Sequence, residues 1–388
     1  MSEDNGTYYR DPNAARYPDY PIAPAVKAVI DAANVRPIDA DVFACGSTLG
    51  NLLRFVRGID KPFRFSVEVI GDTVFFIRKE NDPKQLIEGV RGFGHSFPDA
   101  YTTWPKEVKN SETHQRIIQY DLGGLQCLVR FECDGFLDDS PARSPSQSLP
   151  ANDTSTLPSE DTLTAALSKT TLSAPLAHTT SPLSIKRAGK PIPQPSIFDL
   201  KTRSGRHKKE INMDDITPQL WLKQIPNFIV AYHDGFGLFQ DIQIQDVKPL
   251  IADFEADNAR PIRALVGLLW RIIENANAET RALEVYCPGT GVLEIRRQFG
   301  DGVAALPHAL EHEWVAMCAA AAGGLEVGAG LGRRRESRGE VTPYAASDSA
   351  SPGLDSGDAT DVDDTSDGEQ DFTACSADEC GYCGRCTY

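Results

Sequence analysis

The sequence predicts an α+β fold. Four runs of alternating apolar residues, each broken by a short turn, read as hairpins, and further stretches carry apolar residues at helical spacing. A Ser/Thr/Pro-rich segment interrupts the series near the middle of the chain. At 388 residues the chain can hold one large domain or two ordinary ones, and 41% hydrophobic content is enough for a core.

The elements follow in order. Residues 1–20, "MSEDNGTYYRDPNAARYPDY", are polar and tyrosine-rich; they read as a disordered leader and lack the apolar stretch of a signal peptide. "PFRFSVEVIGDTVFFIRKE" alternates at Phe63, Phe65, Val67 and Val69, turns at Gly71-Asp72 and resumes at Val74 and Phe76. "HQRIIQYDLGGLQCLVRFECDGF" repeats the form around Gly123-Gly124. Residues 139–193 are too rich in Ser, Thr and Pro to bury apolar surface, and read as a disordered insertion between two strands of one domain spanning 21–325.

Structure is expected to resume at Ile197. Thr217-Pro218 resembles an N-cap and first helical position, opening the helix "QLWLKQ". "NFIVAYHDGFGLFQDIQI" is a hairpin around Asp234-Gly235, and "LEVYCPGTGVLEIRR" is another, its Gly-Thr-Gly being a turn. Between them Leu265, Leu268, Leu269, Ile272 and Ile273 mark a core-packing helix. A last helix runs near Leu306–Ala321. Residues 326–371 read as a disordered acidic linker, and 372–388 as a Cys-rich tail.

Several function classes recede on composition. No apolar run is long enough to span a membrane. Nine cysteines without a secretory signal argue against a disulfide scaffold and for a reducing compartment, nuclear or cytoplasmic. The net charge of −16 describes solubility better than it describes sites.

Two strand ends carry the chemistry. Side chains at i and i+2 of a strand share a face, so Asp199 and Lys201 point together with Ile197 while Leu200 points away. In the earlier strand Leu125, Cys127, Val129 and Phe131 form one face, and Glu132 and Asp134 follow on the other. Carboxylates paired with an Asp-x-Lys suit a metal-dependent nuclease: hard oxygens hold Mg²⁺ or Mn²⁺, and the lysine orients the nucleophile or stabilises charge on phosphorus. Spacing alone equally fits a solvated strand end.

With its flanking sequence, this pattern resembles the eukaryotic decapping and 5′-exoribonuclease family (DXO and its relatives, including the partner of the nuclear 5′→3′ exoribonuclease). That family places Glu-x-Asp on one strand and Glu-Leu-Lys-Thr on the next. This chain has "FECDGF" and "FDLKTRS", then "TPQLWLKQIPNFIVAYHDGFGLFQ", collinear from about 45 to 246. The resemblance implies a PD-(D/E)XK nuclease-like mixed central β-sheet flanked by helices. It also implies divalent-metal hydrolysis at an RNA 5′ end by decapping, pyrophosphohydrolysis or exonuclease action. It assigns Glu132, Asp134, Asp199 and the Leu200 carbonyl to the metal, Lys201 to the attacking water, and Gln219 to the first nucleotides. Arg203, Arg206, Lys208 and Lys209 would line the phosphate path; as residues alone they could equally be a solvated loop. RNA, and in the family a 5′→3′ exoribonuclease, would be partners.

The chain departs from the family in three places. The glutamate of Glu-Leu-Lys is Asp199, no glutamate appears in "RGFGHSFPDAYTTW", where Asp99 is the candidate substitute, and the early arginine has only Arg54 and Arg57 nearby. A catalytically silent relative that binds RNA or protein is therefore the second reading. A third is an interaction protein organised by its tail, where Cys375, Cys380, Cys383 and Cys386 could hold one tetrahedral Zn²⁺ or act as reactive thiols. His308 and His312 of "HALEH" match a zinc-protease spacing, but no third ligand follows them, and the "DDTSD" run from Asp363 to Asp367 is what an acidic segment gives by composition.

Overall fold

The computed structural model describes residues 1–4, 7–33, 38–59, 61–78, 82–87, 90, 92–109, 111–138, 183–205, 211–289, 291–299 and 304–324. Its centre is a seven-stranded mixed sheet. The strands are β2 (Val42–Cys45), β3 (Phe63–Ile70), β4 (Thr73–Ile77), β6 (Gln115–Leu122), β7 (Leu125–Glu132), β12 (Leu283–Cys287) and β13 (Glu294–Arg297), in the order β13-β12-β3-β4-β2-β7-β6. Three of the expected hairpins supply antiparallel pairs, β12 also lies antiparallel to β3, and β2 lies parallel to both β4 and β7. The fold is α+β, with helices on both faces of this sheet.

Strand alternation sorts the side chains between two cores. Val42, Ala44, Val74, Phe76, Cys127 and Val129 face α3 (Gly46–Val56) and α7, the expected helix, at Ala259–Ala278, and Phe254 of α6 (Lys248–Asp257) joins the same core. Phe43, Phe75, Ile77 and Leu128 face α2 (Ala23–Ala33) and α8 (His308–Gly324), where Trp314 is fully buried. A sheet covered on both faces needs continuous apolar strands, and β4 is buried at all of its positions.

A second sheet of four strands stands beside the first, ordered β11 (Phe239–Asp246), β10 (Asn227–His233), β9 (Ile197–Ser204) and β8 (Gly135–Phe136). β9 and β10 are parallel and connected through α5 (Met213–Lys223), as a parallel pair requires a crossover. Ile197, Phe228 and Val230 pack with Leu220 of α5, while Phe198, Leu200 and Ile229 pack with Phe93 and Phe97 on the other face. β8 and β9 are antiparallel neighbours, so they bring together the two ends of the long intervening segment; its residues 139–182 lie outside the described residues, as do 325–388. No described helix is long and apolar enough to cross a membrane.

Two expectations are corrected. The leader is packed, not disordered: Tyr8–Tyr9 form β1 against β5 (Leu86–Ile87), and Asp11 caps α1 (Pro12–Arg16) by accepting from the Ala14 N–H. Asp4, 4% exposed, accepts from the N–H groups of His95 and Ser96, both at 2.8 Å, at the start of α4 (Ser96–Tyr101). A polar segment reads as disorder until its charged groups find partners, here about ninety residues away. α5 also starts earlier than Thr217: Asn212 caps it by accepting from Asp214 N–H, and Pro218 sits inside the helix. Its missing N–H leaves the carbonyl of Asp214, an exposed residue, which water can serve.

Asp4→Ala should therefore lower the unfolding free energy by about 1–3 kcal/mol in urea denaturation, because two part-buried N–H groups at the start of α4 lose a charged acceptor. An unchanged midpoint would mean that the leader only rests on the surface.

Candidate functional site

The two sheets meet where the chain leaves β7 after Glu132 and enters β8 at Gly135, so Cys133 and Asp134 form the crossing. β8 is only two residues long and pairs with Phe198 and Ile197. The N–H of Leu200 lies past the end of that pairing and is taken by the Asp134 carboxylate, Oδ2 accepting at 2.6 Å. Asp134 is thereby held beside Asp199 of β9.

Strand geometry places the rest as expected from the sequence. Leu200 sends its side chain into one core, while Ile197 packs on the opposite side, the side on which alternation places Asp199 and Lys201. Asp199 is 8% exposed. The Lys201 Nζ lies 3.9 Å from its Oδ1, and the Lys223 Nζ lies 3.4 Å from its Oδ2. Glu132 pairs across the β6–β7 hairpin with Gln115, whose side chain hydrogen-bonds to it.

These residues line one cleft of about 2810 Å³. Glu132 and Asp134 are open to water inside it, but its walls crowd them on several sides. That desolvation raises the Glu132 carboxyl above its usual range, with Asp11 adding to the rise and Arg130 and Lys223 opposing it. Desolvation likewise raises Asp134, reinforced by the negative charge of Asp199 and countered by Lys201, the Leu200 N–H and Lys223. Burial pushes the Cys133 thiol up to about 11, so between the two acids it is a neutral spacer.

Gln219 also lines the cleft, held by a close approach of α3 to α5: a Cβ at Gly50 would overlap its amide. Lys223, four residues on and hence on the same helical face, was missed in the sequence reading; the i, i+4 spacing from Gln219 is the signal that could have found it. Arg203 lines the cleft and donates to the Thr202 carbonyl at 3.3 Å. Arg54 and Arg57 line it as well, Arg54 paired with Asn51. Asp99, on α4, shares the cleft, and its charge adds to that of Asp4 on Tyr8. Arg206, Lys208, Lys209 and the four tail cysteines lie outside the described residues.

Among the described residues no three His, Cys, Asp or Glu side chains come together as a group that could hold a metal ion. The expected trio of Glu132, Asp134 and Asp199 is thus not a ready three-acid site, and two lysines stand against Asp199. His308 and His312 contact each other edge to face, with ring centroids 4.4 Å apart.

The fold and cleft define an α+β protein with paired acids and paired lysines at a sheet junction. The chain belongs to the family described as Domain of unknown function (DUF8563), whose model matches residues 1–296. No curated protein matches it. Among solved structures it is similar to Scheffersomyces stipitis Rai1 in complex with (3′-NADP)⁺ and calcium ion, at 13% identity and TM-score 0.48 over 81% of this chain and 89% of that one. It is also similar to S. pombe Rai1 in complex with 3′-FADP (12% identity, TM-score 0.44, 71% and 77% covered). A third is Candida albicans Rai1 in complex with pU5-Mn²⁺ (8% identity, TM-score 0.45, 76% and 80% covered). With TM-scores below 0.5 this likeness carries no functional weight.

The raised Asp134 gives a signed pH dependence. An acid with a folded pKa above its unfolded value of about 3.9 costs stability as pH rises through that window. In metal-free protein Asp134→Asn should therefore raise the melting temperature at pH 8, and the gain should vanish below about pH 4. A lower melting temperature at pH 8 would show that the ionised carboxylate is stabilising.

Proposed function

We propose that this protein is a metal-dependent hydrolase acting on RNA 5′ ends, as a decapping enzyme, pyrophosphohydrolase or 5′→3′ exoribonuclease. The observation that carries the reading is the Asp134–Asp199–Lys201 cluster set into a cleft at the junction of two sheets. Two adjacent carboxylates, with the charge of Asp199 adding to the cost of ionising Asp134 and with oxygen donors only, fit one Mg²⁺ or Mn²⁺. Such ions keep several waters and need few protein ligands.

Asp134, Asp199 and the Leu200 carbonyl would hold the ion, and Glu132 would hold water next to it. When bound, the ion would supply charge for the attacked phosphorus and acidity to water. The Lys201 ammonium, kept near the cluster by Asp199, orients the attacking water and meets charge developing on the phosphoryl oxygens. Gln219 offers its amide to the first nucleotides from α5. Arg203, Arg54 and Arg57, on the cleft wall, collect the phosphates that follow.

A second reading, a silent relative that binds RNA without turnover, has its own support: the acids do not converge as a trio, and Lys223 already contacts Asp199.

The test uses purified protein with Mn²⁺ or Mg²⁺ on RNAs bearing 5′-monophosphate, 5′-triphosphate and capped ends, with pU5 and 3′-NADP⁺ included. Metal-dependent release of nucleotides or cap fragments, reduced by about 10²–10³-fold in Glu132→Ala and Asp199→Ala, is the expected result. RNA binding without turnover would establish the silent relative. Gly50→Ala should lower turnover about tenfold by displacing Gln219, while the melting temperature holds, since alanine suits a helix interior by about 1 kcal/mol over glycine. Full turnover in that variant would remove Gln219 from the site.

A further inference from the structure

The end of α5 is pinned more firmly than a surface helix requires. The Tyr120 hydroxyl donates to the Leu222 carbonyl at 3.0 Å. Gln194 Nε2 donates to the carbonyls of Lys223 at 3.1 Å and Gln224 at 2.8 Å. Gln224 then turns into the left-handed region at φ 52°, which closes the helix at Lys223. Two other segments and the helix's own cap thus fix the backbone that carries one lysine.

The lysine's stem is also accommodated. It runs beside Gly46 of α3, where a side chain would begin 3.5 Å from its Cγ, and its side chain is 16% exposed. Its ammonium reaches the Asp199 Oδ2 at 3.4 Å. The same charge acts on both other acids of the cleft, opposing the rise of Glu132 and of Asp134. Lys201, by comparison, meets Asp199 and acts on Asp134.

We propose that Lys223 is the built-in counter-cation of the acid cluster: a positioning residue whose ammonium holds the carboxylates together and leaves room for one divalent ion, not two. This rests on the divalent-ion reading of the cleft. A cation so close to Asp199 competes with any ion for the same oxygens, so the lysine sets both how many ions enter and how tightly.

The experiment titrates Mn²⁺ into the full-length protein by calorimetry, counting bound ions by electron paramagnetic resonance. It compares wild type, Lys223→Met, Lys223→Arg and Asp199→Asn. Melting temperatures in EDTA are recorded for all four. The expected result is one weakly held ion in the wild type and in Lys223→Arg, at least tenfold tighter binding or a second ion in Lys223→Met, and none in Asp199→Asn. In EDTA, Lys223→Met should melt lower than wild type, with Lys223→Arg restoring most of the loss. A fold defect alone would not tighten Mn²⁺. Equal or weaker Mn²⁺ binding in Lys223→Met, with Asp199→Asn still blind to Mn²⁺, would overturn the proposal and leave the divalent-ion reading standing. Binding by Lys223→Met alone would uphold the proposal in its strongest form. No binding by any of the four would remove the divalent-ion reading and the proposal with it.

Discussion

The hydrogen bond from the Leu200 N–H to the Asp134 carboxylate is the contact on which the site depends. It stitches the crossing between the two sheets to the central stretch of β9, and so brings acids from separate strands side by side. Without it the chain after β7 would carry a charged residue into a crowded junction with nothing to accept there. Satisfying a backbone donor with a carboxylate fixes position and stores electrostatic cost, since Asp199 lies beside it. Lys201 and Lys223 offset that cost.

The two sheets make such a junction possible. The seven-stranded sheet is sealed by helices on both faces, so it has little room for polar groups except at its ends. β7 reaches such an end at Glu132, and the smaller sheet takes over with a two-residue strand. α3 and α5 approach closely where Gly50 carries no side chain, which leaves room for the Gln219 amide, and Lys223 one turn on packs beside Gly46. Around the rim the leader supplies a further wall, clamped by Asp4 onto the start of α4.

Much of this was legible in the residues. Alternation in "FRFSVEVI" and "LQCLVRFE" gave strands and faces directly, because strand periodicity survives any tertiary setting that buries one face. Asp199 and Lys201 sharing a face followed from the same rule. What escaped has a common cause: it depends on contacts far apart in sequence. Asp4 looks like part of a soluble tail until it meets His95 and Ser96. Asn212 is a better cap than Thr217 only because the exposed first turn tolerates Pro218. Lys223 reads as one more charge at a helix end, and only its contact with β9 reveals its partner. Local spacing also could not say whether Glu132, Asp134 and Asp199 converge, since that is set by how two sheets join.

On the proposed function, the acid pair at this junction receives a divalent cation. Anomalous diffraction from crystals of the full-length protein soaked in Mn²⁺ tests it most directly. The account requires a peak between the Asp134 and Asp199 carboxylates, with metal–oxygen distances of about 2.1 Å. A Mn²⁺-free junction with Lys223 still against Asp199, or a peak only elsewhere on the molecule, would contradict it.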